Sequence, residues 1–122
     1  MKAGSRILVV DDSQDIVNML RVALARHGFD IDTTTSPEEA LSMAASRSYD
    51  AALLDLVMPG RDGAALAQAL REKSPGLPVA LLTAYTRSPL LPAAERAGVK
   101  VFAKPLSISD LVDFLEAELG SR

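Results

Sequence analysis

The stretch Ala51-Ala52-Leu53-Leu54-Asp55-Leu56-Val57-Met58-Pro59-Gly60-Arg61-Asp62-Gly63 decides how this chain folds. Four apolar residues run without a break into a carboxylate, and a Pro-Gly pair follows. A short continuous apolar run bounded by turn residues reads as a strand buried on both faces. Asp55 at its end is not core filler, because burying an unpaired carboxylate costs several kcal/mol or forces it to take up a proton. It belongs at the mouth of a sheet, where positive charge can meet it.

Outward from that stretch the same pattern recurs. Apolar runs at 7–10, 29–34, 79–83 and 99–103 alternate with segments of helical spacing. Between the first two runs Ile16, Leu20, Ala23, Leu24 and His27 recur at helical intervals, and Gly28 supplies a stop. Ser36-Pro37-Glu38-Glu39 opens a second helix with an N-cap serine, a first-position proline and a glutamate three residues after the cap. A third runs from Asp62 or Gly63 to Lys73, with Leu66 and Leu70 inward, Asp62 as its cap and Pro75-Gly76 after it. A fourth falls between Pro89 and Ala97 and stops at Gly98. Pro92 inside it would cost about 3 kcal/mol, so this helix starts late, near Pro92, or has a loose first turn. A fifth starts near Ser107 and buries Ile108, Leu111, Leu115 and Leu119. Strands alternating with helices at this spacing imply right-handed βαβ units and a parallel sheet covered on both faces: a doubly wound α/β domain.

With 122 residues, the chain reads as a single domain, residues 1–122 with a core of about 5–119. The absence of cysteine removes disulfides, thiolate metal sites and thiol nucleophiles. A net charge of −3 argues against nucleic acid as a direct partner. No segment approaches the ~18 apolar residues of a membrane span or the pattern of a signal peptide, so a cytoplasmic location without membrane insertion is expected.

In open α/β sheets ligands sit beyond the carboxyl ends of the strands. Here those ends carry Asp11-Asp12, Asp55, Thr83 and Lys104-Pro105. Three acids within about 5 Å repel by a few kcal/mol per pair at an effective dielectric near 20, so some take up protons or a cation sits among them. Oxygen ligands without His or Cys favour Mg²⁺ or Mn²⁺, with positions left for a phosphoryl group. Lys104 would offset charge on transferring oxygens, Thr83 could donate a hydrogen bond to one, and Asp55 is the natural nucleophile.

Ile-Leu-Val-Val-Asp11-Asp12, Asp55-Leu-Val57-Met58-Pro59-Gly-Arg-Asp62-Gly63, Leu-Leu-Thr83-Ala84 and Lys104-Pro105 together resemble the receiver domain of two-component response regulators, over essentially the whole chain. The resemblance implies a flavodoxin-like (βα)5 fold with strand order 2-1-3-4-5. It implies that Asp55 accepts phosphate, with Mg²⁺, from a histidine kinase or histidine phosphotransferase phosphohistidine. Asp12, Asp55 and the backbone carbonyl of Val57 would then be metal ligands, with Asp11 acting through water. Thr83 would move towards the phosphoryl group and Lys104 would pair with it. Such a domain catalyses its own phosphorylation and dephosphorylation rather than ordinary turnover. The fourth helix, last strand and last helix would face a downstream effector protein or domain, and a phosphorylation-linked dimer is compatible with the family.

The chain departs from the family pattern at Val101, where an aromatic switch is usual three residues before the lysine. Phe102 is one place later, and neighbouring strand residues point to opposite faces, so it does not substitute. Met58, Ala84, Tyr85 and Pro105 are expected to flank the site. Val57 and Tyr85 offer no base to align water, so slow autodephosphorylation is expected. His27 reads as a helix-end residue; Met19, Met43 and Phe114 read as packing, and the acids of 110–118 as a solvated helix face. A phosphorylation-independent pseudo-receiver is the main rival, and the complete acid, threonine and lysine set argues against it. A phosphohydrolase would want an Asp-x-Asp pair, and a flavin carrier a phosphate loop where Asp11-Asp12-Ser13 stands.

Overall fold

In the computed structural model, which describes residues 4–120, five strands and five helices alternate along the chain. They are β1 Arg6–Val10, α1 Gln14–Ala25, β2 Asp30–Thr34, α2 Pro37–Ser46, β3 Ala51–Asp55, α3 Gly63–Lys73, β4 Val79–Thr83, α4 Leu91–Arg96, β5 Lys100–Ala103 and α5 Ile108–Leu119. The sheet order is β2-β1-β3-β4-β5 and every pairing is parallel. This is the doubly wound arrangement expected. No helix among the described residues is long and apolar enough to cross a membrane.

The period-two alternation of the strands divides the core into two layers. Leu8, Val10, Ala52, Leu54 and Leu81 pack with Ala40, Leu66, Leu70 and Leu91 from α2, α3 and α4. Ile7, Val9, Leu53, Ala80 and Leu82 pack with Leu20, Leu24, Leu111 and Leu115 from α1 and α5. β3 and β4 are buried at every position, which is why their sequences are unbroken apolar runs. Each fully buried leucine contributes roughly 1.5–3 kcal/mol, so the central strands anchor the ends that carry the polar residues.

Side-chain caps set four of the helix starts. Ser13 accepts from Ile16 N, Ser36 from Glu39 N, Asp62 from Ala65 N and Ser107 from Asp110 N, at 2.8–3.3 Å. α4 is the exception. It has six residues, its N-cap is Leu90 with no side-chain cap bond, and Pro92 lies in its first turn, where a missing N–H costs nothing. It therefore begins after Pro89, as the two prolines foretold. Its other end is held by Arg71, whose Nη1 donates to the Ala97 carbonyl at 2.6 Å while Nε donates to Leu77 O at 3.1 Å.

Some inward and outward assignments differ from expectation. Val17, not Ile16, enters the core with Leu20 and Leu24, because the sheet selects the 17/20/24 stripe of α1. The helix ends at Ala25, and His27 is exposed beyond it. Met19 is 43 % exposed and does not pack in the core. Ile108 and Leu119 lie at the margin of α5 and are only half-buried. Met43 and Phe114 are half-buried, as expected. β5 starts at Lys100, one residue later than its apolar run suggests, and forms one edge of the sheet.

Candidate functional site

Register brings the functional residues to one edge. Val10 pairs with Leu54, so Asp11 emerges beside Asp55; Asp55 itself pairs with Leu82, and Thr83 with Ala103. Asp12, Thr83 and Lys104 follow from the adjoining strand ends. One carboxylate oxygen from each of Asp11, Asp12 and Asp55 lies within 4.8 Å of the others. Asp11 is fully buried and Asp55 is 6 % exposed, whereas Asp12 faces solvent.

The positive charge that Asp55 required is Lys104. Its Nζ lies 3.0 Å from Asp11 Oδ2 and 3.3 Å from Asp55 Oδ1, bridging the two buried acids. Its backbone is tied down as well: Lys104 N donates to the Thr83 carbonyl at 2.9 Å, and the Lys104-Pro105 bond is cis. Ser13 N donates to the other Asp11 oxygen at 3.0 Å, so the Asp11 carboxylate is oriented from both sides. One lysine does not balance three acids. Burial, with the neighbouring charge of Asp11, pushes the Asp55 carboxyl up to about 6 despite the opposing effect of Lys104. Burial works to lower the pKa of Lys104, but hydrogen bonds and charge from Asp11 and Asp55 outweigh it and hold the ammonium above its usual range. The formal balance, −3 from the acids and +1 from the lysine, leaves −2, which a divalent cation would neutralise.

The donor set suits such an ion. All the side-chain donors are hard carboxylate oxygens. None of the described residues donates a hydrogen bond to the Val57 carbonyl, so that oxygen is also available. Asp12, at the exposed side, leaves the mouth open to solvent. The groups that could hold such an ion are the clustered carboxylates of Asp11, Asp12 and Asp55, with the Val57 carbonyl beside them.

Thr83 is buried, and its Oγ1 accepts the Tyr85 N–H at 2.8 Å, which orients the hydroxyl and leaves its own proton for a second partner. Val57 and Tyr85 are 48 % and 62 % exposed and, with Ala84, line a shallow apolar lip beside the site. Pro105 is exposed next to Lys104. Met58, expected at the entrance, is instead buried in the core layer under α3 and α4. The chain keeps its strand-like alternation past Asp55, so Leu56 and Met58 turn in and Val57 turns out. Val101 and Phe102 do point to opposite layers. Val101 packs towards α4, and Phe102 meets Phe114 of α5 edge-on at 5.6 Å and 72°. Asp62 caps α3 and is not among the clustered acids.

Gly63 has a role that sequence reading missed. A Cβ at this position would lie 2.2 Å from the Asp55 carbonyl oxygen and 2.9 Å from Leu56 Cα, and the Gly63 N–H donates to Leu56 O at 2.8 Å. The start of α3 therefore presses directly on the peptide that carries Asp55. The available signal was a glycine at a first helical position, where propensity alone disfavours it by about 1 kcal/mol.

The family model for the response regulator receiver domain matches residues 7–116. The chain belongs to this family. The receiver is 35% identical over 118 residues to the transcriptional regulatory protein PrrA of Mycobacterium tuberculosis, covering 96% of this chain and 51% of PrrA. It is 34% identical over 109 residues to a response regulator receiver protein of Anaeromyxobacter sp., covering 88% of this chain and 46% of that protein. The receiver thus spans about half the length of these curated relatives. Among solved structures it is similar to the chemotaxis protein CheY4 of Vibrio cholerae, with a TM-score of 0.85 and 28% identity over 94% of this chain and 98% of that one. A response regulator of Chloroflexus aurantiacus matches with a TM-score of 0.86 and 30% identity over 95% and 98%. The flavodoxin-like strand order and the place in two-component signalling expected from the motifs are those of this family.

Proposed function

We propose that this receiver accepts a phosphoryl group on Asp55 from the phosphohistidine of a histidine kinase or histidine phosphotransferase, with Mg²⁺ or Mn²⁺ as cofactor. The observation that carries the reading is the convergence of three carboxylates within 4.8 Å beside a lysine that bridges two of them. A carboxylate oxygen of Asp55 forms the new O–P bond. The N–P bond to the donor imidazole breaks, and that nitrogen keeps the electron pair and takes a proton. Lys104 stands where it can follow the charge from the carboxylate to the phosphoryl oxygens, and Thr83 can offer its hydroxyl proton to one of them. When bound, the divalent ion supplies charge neutralisation at the same oxygens.

Phosphate then changes what the α4–β5–α5 face binds in a downstream effector protein or domain, in the cytoplasm. Val57 and Tyr85 present no base to a hydrolytic water, so the acyl phosphate is long-lived and the domain works as a switch. Incubation with acetyl phosphate and Mg²⁺, followed by intact mass, tests the reading. One added phosphoryl group, absent in Asp55→Asn, supports it; no uptake by wild type under any donor would favour a binding-only pseudo-receiver.

A further inference from the structure

β5 closes one side of the sheet, and its outer edge is unpaired. In a parallel ladder the N–H and C=O of one residue face the same neighbour, and successive residues alternate sides. Lys104 N points to β4, where it meets the Thr83 carbonyl, so Phe102 and Lys100 face β4 too. Val101 and Ala103 therefore turn their N–H and C=O groups to the open side.

A groove of about 880 Å³ lies along this edge, against α5 and the end of α4. The Phe102–Phe114 pair supplies an aromatic surface in it. Its charged lining is Glu95 from α4 and Asp110, Asp113 and Glu118 from α5, against Lys100 alone. All five are exposed, and none has an ion-pair partner among the described residues. The sum, −4 + 1 = −3, equals the net charge of the entire chain concentrated on one face.

We propose that an extended, arginine-bearing segment of a partner protein docks in this groove, adding to β5 as a sixth strand. An extended segment satisfies the free backbone groups of Val101 and Ala103, as strand addition at a sheet edge requires. Arginine suits the walls because its planar guanidinium both pairs with carboxylates and stacks on aromatic rings. A second copy of this chain is a poor occupant, since it would set four more acids against these four. Nucleic acid is repelled for the same reason. α4, uncapped at its N-terminal end and held by Arg71 at the other, provides a wall that can adjust to the incoming strand. This inference rests on reading α4–β5–α5 as the output face.

The test uses the whole chain and the acetylated, amidated peptide Arg-Val-Arg-Thr-Arg-Val, followed by amide NMR. Resonances of Val101 and Ala103 should shift on titration, and their hydrogen exchange should slow at least tenfold at saturation. The same peptide N-methylated at alternate residues keeps every charge and loses its edge donors; its affinity should fall at least tenfold. The double change Asp110→Asn and Asp113→Asn should also weaken binding about tenfold. Shifts confined to Asp11, Asp12 and Asp55, equal binding of the N-methylated peptide, equal binding of a glutamate-for-arginine peptide, or a dimer that protects β5 would each overturn the proposal. Phosphoryl uptake measured on the same samples keeps the two readings separate. Wild type that takes up no phosphate sinks the phosphoacceptor function whatever the peptide does, and uptake without peptide binding sinks only the docking site.

Discussion

Replacing Gly63 by alanine sets two physical effects of opposite sign against each other. At the first position of α3, helix propensity favours alanine by about 1 kcal/mol. Against this, the new methyl would sit 2.2 Å from the Asp55 carbonyl oxygen and 2.9 Å from Leu56 Cα. Both are backbone atoms, so no side-chain rotation relieves the overlap; α3 or the end of β3 must move by about 1 Å. Overpacking costs typically 1–3 kcal/mol, and an overlap this deep against backbone belongs at the upper end, about 2–3, so the net loss is about 1–2 kcal/mol, or roughly 4–8 °C in melting temperature for a domain this size. Because the displaced peptide carries Asp55, phosphoryl uptake should slow more than stability suggests, by up to about 100-fold for a 1 Å misplacement. Urea denaturation and the initial rate of uptake from acetyl phosphate measure the two effects. Gly76→Ala is the control. Nothing lies within 4 Å of its Cβ position and its φ is not positive, so it should be neutral or slightly stabilising. If Gly63→Ala were as stable and as active as wild type, the inferred pressure of α3 on the Asp55 peptide would be wrong.

The raised pKa of Asp55 predicts a pH signature in metal-free buffer. A carboxylate whose folded value lies near 6, against 3.8 unfolded, favours the fold when protonated. Its penalty is absent below about pH 4, grows as pH rises through 6, and is complete above that. Asp55→Asn should therefore melt higher than wild type at pH 7.5, with the gap closing towards pH 4 and on adding Mg²⁺ to wild type; a pH-independent gap in thermal melts would refute this. Lys104→Met strands the fully buried Asp11 without its partner at 3.0 Å. Breaking such a pair costs about 3–5 kcal/mol when fully buried, so about 2–3 is expected here because Lys104 is partly exposed, and chemical denaturation showing under 0.5 would contradict it. Arg71→Met removes the guanidinium bonds to Ala97 and Leu77. Hydrogen exchange at Ala97 and Gly98 should accelerate about fivefold, for ~1 kcal/mol of local stability, while phosphoryl uptake stays intact.

Most of the fold was legible because its determinants are local. Unbroken apolar runs, serine and aspartate caps and the Pro89/Pro92 pair each act within a few residues. The convergence of Asp11, Asp55, Thr83 and Lys104 was legible because parallel topology sends every strand end to one edge. What stayed hidden depends on contacts distant in sequence. Two stripes of α1 have helical spacing, and only the sheet chooses Val17 over Ile16. Arg71 reaches a carbonyl 26 residues away. Asp32 on β2 accepts hydrogen bonds from Arg47 at 2.9 Å and Tyr49 at 2.7 Å, and burial together with that carboxylate pushes the Tyr49 phenol up to about 12. Such a network tying the edge strand to the end of α2 has no signature in spacing. Met58 read as an entrance residue because it follows the acid so closely, yet backbone alternation turns it inward.

Reductive trapping of the acyl phosphate, followed by peptide mass analysis, probes the carboxylate cluster most directly. After incubation with acetyl phosphate, a modified residue should be found at Asp55 when Mg²⁺ is present and lost when it is chelated. Trapping at another acid, or modification of Asp55 that is indifferent to the divalent ion, would mean that these carboxylates do not cooperate around a metal to transfer phosphate.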